Sequence, residues 1–248
     1  MTILEKLTAY CDRRLRVRAM ADFPGAQNGL QAGNSGRVTK IGAAVDAGAV
    51  PFRLAAARGV DFLIVHHGMF WDGTQTGAQR QRMKLLAKAD CAVYSAHLPL
   101  DAHPQIGNNA LIAKALGLKI TGWEIPYQGT PLASVIQRCP ARGKLRAQLE
   151  EIFPRVTAME FGPAQPKKIA ILSGSGSSAV AQLAAAGVDT YITGELKQAA
   201  FNAAQEAGLN LYACGHYATE VFGVQALAAE CARRFGLPWE FLDTGCPL

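Results

Sequence analysis

The chain has 248 residues, 50% of them hydrophobic and 18% charged, with 25 Lys and Arg against 19 Asp and Glu for a formal net charge of +6. That length and apolar content suffice for one large or two modest domains around a real core, the composition of an ordinary globular protein. No apolar run approaches the roughly 18 residues of a bilayer span, and the N-terminal segment interleaves charges with apolar residues, so a cytoplasmic protein with no membrane partner is expected. The cysteines Cys11, Cys91, Cys139, Cys214, Cys231 and Cys246 are widely spread with no CxxC pair, which favours reduced, packed thiols over disulfides or a thiolate zinc site. Short basic clusters at 13–18, 80–84 and 142–146 come with no nucleic-acid motif and read as solvated helix faces, so specific nucleic-acid binding is not expected.

In chain order the pattern gives a helix at 3–14, a strand at 38–45, a helix at 51–58, a strand at 62–65, a helix at 79–89, a strand at 92–95 and a helix at 108–116. A helix at 145–153 follows, then a strand at 168–172, a helix at 179–186, a strand at 191–193, a helix at 198–207, a strand at 211–214 and a helix at 218–235. Gly59, Gly117, Gly187, Gly208 and Gly236 stand where helices end. Short β-branched runs alternating with Ala- and Leu-rich stretches define an α/β fold, with mainly parallel sheets flanked by helices. The expected organisation is a first α/β half at 1–120, a proline-bearing bridge at 121–165 and a second half at 166–248.

The segment VDFLIVHHGMFW places His66 and His67 at the exit of the strand 62–65, in a chain with only 5 histidines. His97 ends the next strand, Asp101 follows four residues on, and His216 follows the strand 211–214 with Glu220 one helical turn later. Open parallel sheets bind ligands beyond the carboxyl ends of their strands, so these exits converge on a metal site between the halves. A lone histidine at a strand end is ordinarily structural; four of the five at such ends, beside an Asp and a Glu, favour metal. Imidazole and carboxylate without thiolate suit zinc, iron, manganese or nickel, and five ligands exceed one tetrahedral site. Adjacent strand residues point to opposite faces, so two neighbouring cations could take one histidine each.

The segments NGLQAG, DFLIVHHGMFW, YSAHLPLDAH, SGSGSS, YITGEL and CGHYATEVFGVQAL, in this order over nearly the whole chain, resemble the NGG-interacting factor three family, also known as type 2 homologues of GTP cyclohydrolase I. The resemblance implies two divalent ions per subunit, with His67 and Asp101 on one, His66 and His216 on the other, and Glu220 bridging. It also implies a toroidal homohexamer of the short form. Two departures stand in the pocket wall: Gly68 where many relatives have proline, and Pro99-Leu100 where they have Thr-Asn. The function expected is that of a dinuclear metal-dependent hydrolase of a small molecule that the sequence does not name, with Glu220 and Glu195 as its catalytic carboxylates. The alternative is a metal-dependent binding or regulatory protein, or a metal chaperone, without turnover.

Other features read as support. His97 is expected to orient Asp101 or a bound water, His103 to be a loop residue, and Met69, Phe70 and Trp71 to line or brace the pocket mouth. Gly174, Gly176 and Ala179 satisfy GxGxxA, but the acid about 20 residues on, Glu195, is expected beyond the following strand and not at its tip, so a tight turn is expected there, with an anion at the helix N-terminus as the alternative, and not a dinucleotide site. Cys214 inside an apolar strand reads as a packed thiol.

Overall fold

The computed structural model describes residues 1–71, 76–127 and 129–248. In chain order these form α1 (Ile3–Leu15), β1 (Gly29–Ala32), β2 (Ile41–Asp46), α2 (Ala49–Ala57), β3 (Phe62–His67), α3 (Gly77–Ala89), β4 (Ala92–Ser95), α4 (Leu98–Asp101) and α5 (Asn108–Ala115). There follow β5 (Gly122–Tyr127), β6 (Thr130–Ile136), α6 (Arg142–Ile152), β7 (Thr157–Glu160), β8 (Ile169–Ser175), α7 (Val180–Ala185), β9 (Thr190–Glu195), α8 (Ala199–Ala207), β10 (Asn210–Ala213), α9 (His216–Phe235) and β11 (Trp239–Phe241). The chain divides into two compact units, one of Met1–Leu100 with Gly223–Cys246, the other of Asp101–Phe222 with Pro247–Leu248.

The first unit is built on a five-stranded sheet in the order β1-β4-β3-β2-β11. Its centre is parallel, and only the β1–β4 pair at one edge is antiparallel. Helix α1 starts with a capping box between Thr2 and Glu5 and buries Leu4, Leu7, Cys11 and Leu15 along one face. Residues 223–246 join this unit because β11 pairs in parallel with β2 and because Glu230 of α9 meets α1, accepting from Arg14 Nε at 2.6 Å and from the Tyr10 hydroxyl. Leu63, Val65, Ala44 and Val93 pack with Phe52 and Leu86 in one continuous apolar cluster.

The second unit carries a six-stranded sheet, β5-β6-β8-β9-β10-β7. Strands β8, β9 and β10 run parallel, with antiparallel strands on both flanks. Ile169 and Ile171 join a cluster with Ile112, Leu145 and Leu149, whereas the intervening Ala170 joins Leu183 and Ala204. Helices therefore cover both faces, which is why these strands read as unbroken apolar runs.

The sequence pattern located the parallel core of each sheet and missed its margins. Residues 121–165, expected to bridge two halves, supply β5, β6, α6 and β7 to the second unit. Proline hid the hairpin: Pro126 of the edge strand β5 lies opposite Pro131 of β6, a position open to proline only at a sheet margin. The three-residue β11 is too short to show a period, and the last helix begins at His216, not at 218.

The tightness of the first sheet gives a direct test. A Cβ on Gly42 of β2 would come within 2.7 Å of Val60 Cγ1 and 3.1 Å of Leu63 Cδ1, both buried, whereas one on Gly33 meets nothing within 4 Å. Gly42→Ala is expected to lose about 1–3 kcal/mol by overpacking. Gly33→Ala should stay within about 0.5 kcal/mol of the parent. Urea unfolding of the two variants side by side checks the contrast.

Candidate metal centre

In the first unit β3 extends through both histidines and ends at His67. Alternation along a strand would send the two rings apart, yet their centroids lie 4.8 Å from each other, and His97 completes the group at 5.0 Å from His66 and 5.6 Å from His67. The end of the strand is where this becomes available, because each ring is pulled by its own oxygen. His66 Nδ1 donates to the Ala96 carbonyl at 2.9 Å, His67 Nδ1 to Asp46 at 2.9 Å and His97 Nδ1 to Asp22 at 2.8 Å. Fixing Nδ1–H on an oxygen selects the tautomer that offers Nε2 to a ligand, which is how metal-binding histidines are ordinarily held. One ligand atom from each of the three lies within 4.8 Å of the other two, so the group could hold a metal ion.

His97 is thus part of the imidazole group, with its Nδ1 held by Asp22. Its anchor, Asp22, is almost wholly buried and also accepts from Asn28 Nδ2 at 2.8 Å and from the Leu98 N–H at 3.1 Å. Burial pushes the Asp22 carboxyl up, but the hydrogen bonds from His97, Asn28 and Phe23, with the His97 charge, outweigh it and hold it below the usual carboxylate value. Sequence reasoning missed both Asp22 and Asp46. Asp46 had a signal: it ends β2 directly beside His67 in the parallel register. Asp22 lies in an irregular segment 75 residues from its partner and had none.

Trp71 packs edge-on against His97 at 5.0 Å and donates Nε1–H to the Gly68 carbonyl. Met69 is buried in the apolar cluster with Phe70 packed against it, while Trp71 stands beside His67 and His97. Gly68 marks a local exchange of bulk: a Cβ there would run into the Gln31 amide and the Ser95 hydroxyl, and Gln31 Oε1 accepts the Met69 N–H at 2.6 Å.

In the second unit His216 opens α9 and Glu220 follows one turn later, with Nε2 and Oε1 3.1 Å apart. Glu220 is buried and His216 is partly exposed. Glu195, at the end of β9, places Oε1 3.4 Å from His216 Nδ1 with half its side chain in solvent. Two glycines make room for this cluster. A Cβ on Gly174 of β8 would collide with the Glu220 carboxylate, and one on Gly194 of β9 would lie 2.6 Å from Thr219 Oγ1 and 2.8 Å from His216 Cα. Gly174 of SGSG and Gly194 of TGE are therefore seats for α9. Gly174 N–H donates to Thr219 Oγ1 and Gly176 N–H to the Glu195 carbonyl, so these two groups are committed to the protein's own acceptors.

Asp101 ends α4 and is buried, accepting from Ser173 Oγ and Asn108 Nδ2. His103 is also buried, and its Nδ1 accepts the N–H groups of Gln105 and Ile106, a structural turn. The Cys214 thiol is pushed up to about 12 by burial, which leaves it a packing residue.

Two mixed sheets flanked by helices define an α/β protein, and among its described residues are His and Glu groups that could hold a metal ion. The chain belongs to the Duf34/NIF3 (NGG1p interacting factor 3) family, whose model matches residues 3–245. It is 37% identical over 245 residues to the GTP cyclohydrolase 1 type 2 homolog of Deinococcus radiodurans, covering 96% of this chain and 92% of that one. The protein of the same name from Halobacterium salinarum is 40% identical over 257 residues, with 98% of both chains covered. Among solved structures, the protein TTHA1606 from Thermus thermophilus superposes with a TM-score of 0.89 at 38% identity over all of both chains.

The electrostatics of His216 give a measurable consequence. Its hydrogen bond to Glu220, against the opposing effect of burial and with the charges of Glu220 and Glu195 adding, pushes the imidazole up to about 9 from 6.5. Raised in the fold, this pKa stabilises the protein fully below about 6.5, and the contribution is lost as pH rises through about 9. In chelator-treated protein, NMR titration of His216 should give a midpoint near 9 that falls toward 6.5 in Glu220→Gln. An unchanged midpoint in that variant would show that Glu220 is not the cause.

Proposed function

We propose that this protein is a metal-dependent hydrolase that holds two divalent cations per chain, with His67 and Asp101 on one, His66 and His216 on the other, and Glu220 bridging. The observation that carries this reading is the anchoring of the paired His66 and His67, each with Nδ1 on its own oxygen so that Nε2 of each is left for a cation, and with their ligand atoms close together. The donor set agrees: neutral imidazole and carboxylate, with buried carboxylates at Asp101 and Glu220, suits zinc, iron, manganese or nickel. Family membership and the names of the similar proteins support it further.

Two close cations supply Lewis acidity toward a carbonyl or phosphoryl oxygen of a small substrate and bring the pKa of a water toward neutrality. The chain's own residues do the rest. Asp46 and Asp22 keep the imidazoles in register. Glu220 offsets the concentrated positive charge, and the half-exposed Glu195 beside His216 accepts a proton and passes it to solvent. We further propose a cytoplasmic homohexamer, a reading that rests on the family resemblance.

Elemental analysis after dialysis against a weak chelator should find about two divalent ions per chain, as a two-metal centre requires. Glu220→Gln should weaken both together and abolish hydrolysis in a screen of phosphoesters, nucleotides and amides, whereas His66→Ala should lose chiefly one ion. A stoichiometry near one, or a metal-loaded protein that hydrolyses nothing in the screen, removes the corresponding half of the proposal. Light scattering after size exclusion should report a hexamer, and a monomer would contradict the assembly.

A further inference from the structure

Two neutral donors converge on one oxygen of the buried Asp101 carboxylate: Ser173 Oγ donates to Oδ1 at 2.8 Å and Asn108 Nδ2 donates to it at 2.7 Å. The two donors come from different elements, β8 and the first residue of α5. Each is held in turn. The Ser173 N–H donates to Asn109 Oδ1 at 2.7 Å, and Asn109 Nδ2 donates to the Leu132 carbonyl at 2.9 Å. Asn108 and Asn109 are both 0% exposed.

Two wholly buried asparagines at the start of a helix invite a capping explanation, since short polar side chains at that point ordinarily serve the orphan N–H groups. That explanation fails here. The N-cap of α5 is Gly107, without a side-chain cap, and the asparagine amides turn to Asp101, to Ser173 and to the neighbouring strand β6. Burying polar groups is costly unless they are hydrogen-bonded. The network is directed at one carboxylate.

We propose that Ser173 and Asn108 are positioning residues that aim Asp101 at a cation. Two donors from separate elements on Oδ1 fix the plane of the carboxylate and stop its rotation, so that a cation meets it in a single geometry. Asn109 sets the Ser173 backbone and so carries the same constraint one step further. This rests on Asp101 as a ligand in the reading above.

The test is calorimetric titration of chelator-stripped protein with Mn²⁺ alone, comparing wild type, Ser173→Ala, Ser173→Thr and Asp101→Ala. Ser173→Ala should weaken one ion about 10- to 100-fold, the usual loss when the hydrogen-bond support of a metal ligand is removed, and leave the other ion unchanged. Ser173→Thr, which keeps the hydroxyl, should restore the affinity. A merely structural serine would instead lower the melting temperature of the metal-free protein and leave the two affinities in their original ratio. If Ser173→Ala does not fold, Asn108→Ser removes the other donor and should give the same one-ion loss. Wild-type binding of both ions by Ser173→Ala, with one ion lost in Asp101→Ala, overturns the positioning role alone. Wild-type binding by Asp101→Ala overturns the ligand assignment itself.

Discussion

A carboxylate withdrawn from water has to be met by donors or by a cation, and the second unit is organised around two that are withdrawn, Asp101 and Glu220. Glu220 is brought onto the ends of β8 and β9 by a helix whose first turn could not approach if Gly174 or Gly194 carried a side chain. Its partner His216 lies one turn earlier on the same helix, which makes the pair a matter of helical geometry once the helix is seated. Asp101 is met differently, by neutral donors from a strand end and a helix start that share one of its oxygens. The backbone positions of four elements are thus subordinate to the demands of two side chains.

The first unit answers a related demand with the opposite charge type. Imidazoles are adaptable ligands only when the tautomer is settled, and here each of three is settled by a different oxygen: a carbonyl, a half-exposed carboxylate and a buried carboxylate. The buried one, Asp22, needs support of its own, from the Asn28 amide and the Leu98 N–H. That support accounts for the NGLQAG segment, whose Asn28 side chain accepts the His97 N–H at 2.7 Å while giving its amide hydrogen to Asp22.

Gly68 shows how one residue sets the space beside the paired histidines. Many members of the family resembled have proline there. In this chain the glycine opens a space that Gln31 enters, and Gln31 then holds the backbone of Met69. The polar amide of Gln31 therefore stands beside Gly68, next in the chain to the paired histidines, where a proline ring would have presented only carbon.

The sequence alone determined what depends on neighbours along the chain. Hydrophobic period and helix-closing glycines located the parallel strands and most helices, because local backbone preference and one buried face decide those elements. It also determined that His66, His67, His97 and His216 stand at strand exits and that Glu220 shares a helical face with His216. Tertiary structure decided the rest. That His66 and His67 converge, that His97 turns to Asp22, and that Ser173 and Asn108 meet on Asp101 are choices among polar partners 21 to 75 residues apart or on separate elements. No local period encodes such a choice. The margins of the sheets were hidden for the same reason: β5, β6, β7 and β11 are short or interrupted by proline, and each exists because a neighbouring strand already in place offers its edge to pair with.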